Sequence, residues 1–269
     1  MMRALAVIVA LATSYEAEIA AWRAQREAEL RADDGWLTVA GLFWLADGAS
    51  RFGTAPDNEI VLPEGSAPDH AGVVEHHAGR TLARVADGPT QELRADSPDV
   101  LVLGRLSLLV IERGGRFALR VRDRESPQRK RFTGLSWYPI RPRLRVTARF
   151  VAAPAPRTLR IANVVGQIVD MPSPGRARFT IGGTELALDA VLEEPGAKQL
   201  FFIFADGTSG DGSYPAGRFL YTDLPEGGIV VLDFNKAHSP PCAYTAFATC
   251  PLPPRQNRLP VRIEAGERY

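Results

Sequence analysis

Asp206, Thr208, Tyr214 and Arg218 stand close together in the C-terminal half of the chain. Asp233, Asn235, Lys236 and His238 follow at the end of the next apolar run. Asp233 sits between Leu232 and Phe234, so its carboxylate is expected to lose water and to need a partner or a proton. Arg218 is the expected partner, in bidentate geometry. Arg120 and Asp123 are expected to form a second such pair. In a structural reading these pairs pin strand ends. In a functional reading they line a pocket that holds a small polar or anionic molecule. His238, with an ordinary pKa near neutrality, is then the general acid or base, and Asp233 orients it. Lys236 and Arg218 hold the anionic group, and Trp137 and Tyr138 wall the pocket. The catalytic candidates are therefore His238 and Asp233. The binding candidates are Arg120, Asp123, Trp137, Tyr138, Asp206, Thr208, Tyr214, Arg218, Asn235 and Lys236.

Motifs for other chemistries are missing. Gly134-Leu135-Ser136-Trp137 breaks off short of a nucleophile elbow, and the chain has no phosphate loop and no dinucleotide glycine pattern. Glu75-His76-His77 is the nearest metal-like cluster, but adjacent strand residues point to opposite faces. No cofactor or metal is expected. Cys242 and Cys250 are a disulfide candidate if the protein is exported, and two packed thiols if it is not. A metal pair is the third reading of these cysteines.

The elements that must position these residues are mostly strands. Tyr15 to Arg31 reads as a helix with Tyr15, Ile19, Trp22 and Leu30 near one face, closed by Asp33-Asp34-Gly35. Beyond it, short Val-, Leu-, Ile- and Phe-rich runs recur between Gly, Pro and Asp. They cover 37–45, 100–103, 106–112, 117–121, 144–150, 179–181, 186–192, 200–204, 218–221 and 229–234. The fold class is mainly β: an N-terminal helix, a small β-sandwich-like unit, then a larger antiparallel barrel or sandwich. The division expected is a signal-like segment over 1–14, the helix over 15–35, the small unit over 36–90 and the large domain over 91–269. A polar stretch at 87–98 marks the boundary. Pro240, Pro241, Pro251, Pro253 and Pro254 make 239–260 a loop rather than a central strand.

The 269 residues carry a net charge of +1 and 45% hydrophobic residues, which excludes disorder and argues against bulk nucleic-acid binding. No apolar run is long enough for a membrane span. Met1-Met2-Arg3 before Ala4–Ala12 favours export to the periplasm or medium, with a cytoplasmic location as the alternative. Charge is uneven within the neutral total. Thirteen basic residues between Arg105 and Arg149 face three acids. Arg116, Arg120, Arg122 and Arg124 share one strand face, and Arg141, Arg143, Arg145 and Arg149 another, about 6.6–6.8 Å apart at each step. The leading function is binding of a small polar or anionic ligand. The alternatives are a hydrolase- or lyase-like enzyme using His238, and an interaction protein using the arginine-rich β surface. The oligomeric state is not legible.

Several segments together form a pattern. They are Gly134-Leu135-Ser136-Trp137-Tyr138-Pro139-Ile140, Tyr214-Pro215-Ala216-Gly217-Arg218-Phe219-Leu220 and Leu232-Asp233-Phe234-Asn235-Lys236-Ala237-His238. Cys250-Pro251-Leu252-Pro253-Pro254 and Asn257-Arg258-Leu259-Pro260 complete it, with Trp22, Arg23 and Asp34-Gly35-Trp36-Leu37 upstream. The chain thereby resembles the bacterial and archaeal domain-of-unknown-function family 1684 over residues 15–269. That resemblance implies no particular activity. Ser50-Arg51-Phe52-Gly53 with Asp57-Asn58-Glu59-Ile60-Val61-Leu62 is faintly similar to the forkhead-associated pattern. Thr54 after Gly53 departs from that pattern, so the similarity implies a β-sandwich without the phosphopeptide site.

Overall fold

The computed structural model describes residues 2–95, 97–194 and 196–269, with the backbone alone for 2–13. Of the signal-like segment, Met1 and the side chains through residue 13 lie outside the described residues, as does Asp96 of the 87–98 boundary. Helix α1 spans Met2–Arg31. Its apolar stripe buries Ile19 and Leu30 completely and Trp22 for the most part. Gly35 lets the chain turn back under the helix end, because a Cβ there would stand 2.3 Å from the Glu29 carbonyl oxygen. The chain forms two compact units. The smaller is Ala28–Thr133 with Tyr244–Ala248; the larger is Met1–Glu27, Gly134–Ala243 and Thr249–Tyr269.

The smaller unit holds β1 (Val39–Trp44), β2 (Gly48–Gly53), β3 (Ile60–Val61), β4 (Gly72–His77), β5 (Arg80–Val85), β6 (Thr90–Glu92), β7 (Leu101–Leu103), β8 (Leu106–Arg113) and β9 (Arg116–Asp123). A short helix, α2 (Pro127–Arg131), follows, capped by the Ser126 hydroxyl. One sheet has the order β1-β9-β8-β7, the other β3-β2-β4-β5-β6. Phe52, Val74 and Ala83 from one and Leu106, Leu108, Leu119 and Val121 from the other meet in a common core, which is sandwich-like. The period of two along β8 and β9 supplies that inward face. Arg51 is occupied locally, holding Glu59 through its backbone N–H, Nε and Nη2 at 2.8–3.1 Å.

The larger unit holds β10 (Ser136–Trp137), β11 (Arg145–Ala152), β12 (Thr158–Ala162), β13 (Ile168–Pro172), β14 (Gly175–Ile181), β15 (Thr184–Ala190), β16 (Gln199–Phe204), β17 (Arg218–Asp223), β18 (Ile229–Asp233) and β19 (Glu267–Arg268). The main sheet has the order β15-β14-β11-β18, and β16-β17, β12-β13 and β10-β19 form pairs. Each of these pairings is antiparallel. Leu144, Ala148, Phe179, Leu188 and Leu232 of the main sheet and its approaches pack with Leu200, Phe202, Phe204 and Leu220 of the β16-β17 hairpin. No sheet closes into a barrel among the described residues. The 239–260 stretch is loop with two short 3-10 turns and isolated bridges at Pro251 and Arg258.

Asn257, at the end of that loop, staples two layers. Its Nδ2 donates to the Asp189 and Ile203 carbonyls at 2.9 and 3.0 Å, and its Oδ1 accepts the Asp189 N–H at 2.8 Å. Asn257→Ala leaves three buried backbone groups without partners. It should lower unfolding free energy by about 2–3 kcal/mol in urea titrations, with the slope of the transition unchanged.

Candidate functional site

The register of the hairpins, rather than proximity in sequence, decides which charges meet. Arg218 opens β17 opposite Phe204 of β16, which brings it beside Asp206 just past the strand end. Nη2 of Arg218 lies 3.0 Å from Asp206 Oδ2, with 1% and 0% of the two side chains exposed. Nη2 also donates to the Ile263 carbonyl at 2.9 Å, and Nη1 to the Ala265 carbonyl. Asp206 accepts the Ile263 N–H at 2.6 Å and the Thr208 hydroxyl at 2.7 Å, and Thr208 reaches Ser213 at 2.8 Å. The Arg218 guanidinium lies over the Phe204 ring, its Cζ 5.3 Å from the centroid. Burial pulls the Arg218 pKa down and the Asp206 charge pulls it back. Arg218, Asp206 and Thr208 are therefore sealed into the core and hold the C-terminal segment.

Asp233 does not meet Arg218. It ends β18 opposite Arg145 of β11, and Arg145 Nε stands 3.9 Å from it. Its main partner is Tyr15 of α1, whose hydroxyl lies 2.8 and 2.9 Å from its two oxygens. Its Oδ1 also accepts the Asn235 N–H at 3.1 Å, capping a 3-10 turn over Phe234–Lys236. Asn235 in turn donates to the Tyr15 hydroxyl and the Arg141 carbonyl and accepts the Arg141 N–H. Burial and the bond to Asp233 push the Tyr15 phenol above its ordinary pKa. Lys236 pairs with Glu18 at 2.6 Å, which lowers the Glu18 carboxyl against its partial burial. Asp233, Asn235 and Lys236 thus anchor the helix.

Among the described residues His238 makes no hydrogen bond or ion pair with Asp233. Its Nδ1 lies 3.1 Å from the Lys236 carbonyl, so Nδ1 carries the proton in the neutral ring and Nε2 keeps the lone pair. Tyr221 stacks on it at 6.0 Å and 14°, with Trp22 at 5.9 Å and Phe219 at 6.3 Å. Burial and the Arg26 guanidinium push its pKa down to about 3 against the Lys236 carbonyl. Such an imidazole is neutral at neutral pH, with Nε2 a weak base. Trp137 packs edge-on against Trp22 at 5.7 Å beneath the Arg23 guanidinium. Tyr138 is buried, with Gly212 against its hydroxyl; Gly212 has φ +112°, and a Cβ there would lie 2.2 Å from the oxygen. Tyr214 donates to the Cys242 carbonyl at 3.1 Å.

Arg120 and Asp123 belong to the smaller unit and do not pair with each other. Residues three apart on a strand point to opposite faces. Asp123 takes Arg105 at 3.1 Å, and Arg120 is buried over the Trp36 ring, its Cζ 4.9 Å from the centroid. Arg116 lies over Trp44 in the same way. The arginine face of β9 is thus partly covered by tryptophan. His77 pairs with Asp47 and His76 with Thr81, on opposite sides of β4. Cys242 and Cys250 carry no disulfide.

Two open cavities of the larger unit lie elsewhere. One of about 460 Å3 is lined by Glu193, Glu194, Lys198, Gln199 and Tyr221. Burial and Glu193 push the Tyr221 phenol upward. The other, about 440 Å3, lies over the main sheet, lined by Arg149, Arg176, Arg178, Thr180 and Glu185 among others. The row across that sheet reads Ala187, Arg178, Arg149, Ile229. Two like charges stand directly opposite, with no acid on either side. Arg176, one step along, is held by Asp189 at 2.7 and 3.1 Å. Arg149 was in view from the sequence; Arg176 and Arg178 were not, because only the β11-β14 register puts them beside it.

Two measurements probe these contacts. Asp206→Asn leaves a buried guanidinium without its counter-charge and should cost about 3–5 kcal/mol in chemical unfolding. His238 is neutral in the fold and protonates more readily unfolded, near its ordinary pKa of 6.5. Its contribution is complete above about pH 6.5 and is lost as pH falls toward 3, up to roughly 4 kcal/mol. His238→Phe should flatten the acid limb of the stability profile in that window.

The profile of the family described as Protein of unknown function (DUF1684) matches residues 130–268. No curated protein matches the chain. Among solved structures, the chain is similar to the solution NMR structure of the uncharacterized protein from gene locus rrnAC0354 of Haloarcula marismortui. The two are 33% identical, over 52% of this chain and 79% of that one, with a TM-score of 0.45. With more than half of its length inside the family profile, the chain belongs to the DUF1684 family of proteins of unknown function.

Proposed function

We propose that the larger unit binds a small oxyanion on the outer face of its main sheet. The observation that carries this reading is the Arg178–Arg149 pair in register at the 440 Å3 cavity. Like charges directly opposite on neighbouring strands destabilise a sheet. Natural sheets offset this with carboxylates, as Asp189 does for Arg176. Arg149 and Arg178 are exposed and make no ion pair or hydrogen bond among the described residues, and their cross-strand flanks are Ala187 and Ile229. An anion between the two guanidiniums would supply the missing charge through bidentate hydrogen bonds. Glu185 in the lining favours a ligand that also carries a donor group.

A second reading has its own support. Val151, Ile229 and Val231 on the same face are 39%, 50% and 39% exposed. They would let the face dock an anionic partner surface rather than a free ion.

Isothermal titration with pyrophosphate and citrate tests the first reading. Binding is expected that weakens with added salt. Arg149→Gln with Arg178→Gln should weaken it at least about tenfold, or ~1.4 kcal/mol. The same double substitution should leave the ligand-free protein as stable as before or a few tenths of a kcal/mol more so, since repulsion is removed. No heat with either anion, or unchanged affinity in the double variant, overturns the assignment.

A further inference from the structure

Cys242 and Cys250 stand at the two ends of the segment 243–249, and the fold holds both backbones in place. Cys242 lies in a 3-10 turn over Pro241–Ala243, and its carbonyl accepts the Tyr214 hydroxyl at 3.1 Å. The Cys250 carbonyl accepts the Val164 N–H at 3.0 Å, and Pro251 follows in a bridge with Asn163. Between them, the Cys242 N–H donates to Cys250 Sγ at 3.1 Å. The two residues differ in exposure: Cys250 is buried and Cys242 half-buried.

We propose that Cys242 and Cys250 form a peroxide-responsive dithiol site, with Cys242 as the attacking thiol and Cys250 as the resolving one. The site is independent of the oxyanion cavity. The neighbouring Cys250 thiol and a backbone hydrogen bond from Cys250 bring the Cys242 pKa down to about 7, against burial. Cys250 and Tyr214 are titratable groups that interact with Cys242, and Tyr221 interacts with Cys250. The Tyr214 phenol is itself raised by burial and by Cys242, so it stays neutral in the relevant range. The thiolate is the nucleophile, and Cys242 is the more exposed of the two residues.

The chemistry balances in two steps. The Cys242 thiolate attacks one oxygen of hydrogen peroxide; the S–O bond forms, the O–O bond breaks, and hydroxide leaves. The sulfur is oxidised by two electrons to a sulfenic acid and the peroxide is reduced. Cys250 then gives up its proton and attacks the sulfenyl sulfur; the S–S bond forms, the S–O bond breaks, and the departing hydroxide takes a proton to become water. In sum, two thiols and one hydrogen peroxide yield one disulfide and two waters. Dithiothreitol reverses it by thiol–disulfide exchange.

The test uses the full chain, reduced, desalted and titrated with hydrogen peroxide. Intact mass and non-reducing peptide mapping should show both thiols lost together in a 242–250 cross-link, restored by dithiothreitol. The initial rate should rise about tenfold between pH 6 and pH 8 as the thiolate forms. Cys250→Ser should accumulate a dimedone-reactive sulfenic acid on Cys242. Cys242→Ser should slow oxidation of the remaining thiol at least about tenfold. Circular dichroism of both variants checks their fold, and the wild-type cross-link stands as a readout without them. Oxidation of Cys242 to sulfinic acid with no cross-link, or equal reactivity of the two single variants, overturns the proposal.

Discussion

A guanidinium with 1% of its side chain exposed stays ionised in a protein core only if every nearby acceptor is arranged around it. Arg218 sets that condition for the larger unit. Its hydrogen bonds reach Asp206 and the carbonyls of Ile263 and Ala265, and Asp206 reaches back to the Ile263 N–H. The β16-β17 hairpin and the C-terminal segment are therefore one construction. Tyr138 N–H on the Gly266 carbonyl and the β10-β19 pair extend it. Only Nε of Arg218 lacks a partner, and Phe204 covers its face.

The same logic recurs at other buried polar groups of the larger unit. Asp233 and Asn235 tie Tyr15 of the helix to the Arg141 loop, and Asn257 ties β15 to β16. Asp189 resists the upward pull of burial because Arg176 and Arg157 both donate to it, leaving its pKa below the usual carboxylate value. These side chains look like an active site when strung along a sequence, because buried polar networks and catalytic constellations draw on the same residue types. Burial separates them. Arg218, Asp206 and Asn235 are closed to solvent, whereas Arg149, Arg178 and Cys242 are exposed or half-exposed.

Much of the fold was legible in the chain. All ten apolar runs contain strands, because inward-facing Val, Leu, Ile and Phe at period two leave a mark that needs no tertiary knowledge. The helix stripe was legible for the same reason at its own period. The strands β2, β4, β5, β12 and β13 were not, since Gly48–Gly53, Gly72–His77 and Thr158–Ala162 alternate polar and apolar residues weakly or face solvent over most of their length. Of the site, His238, Arg218 and Asp233 were visible as residues, but their partners were not. Tyr15 lies more than two hundred positions from Asp233. Composition and spacing carry no trace of such a contact.

The sequence by itself determined the class of the fold, the helix face, the family pattern and several of the buried charges. A desolvated carboxylate or guanidinium must find a partner, and that demand is local. Which partner it finds is decided by strand register, which is a property of the assembled sheet. Register put Asp206 rather than Asp233 beside Arg218, Arg105 rather than Arg120 beside Asp123, and Arg178 opposite Arg149 with no acid between them. A shift of one residue in any of these pairings would turn each side chain to the other face, and with it the line between the charges that hold the fold and those left open to a ligand.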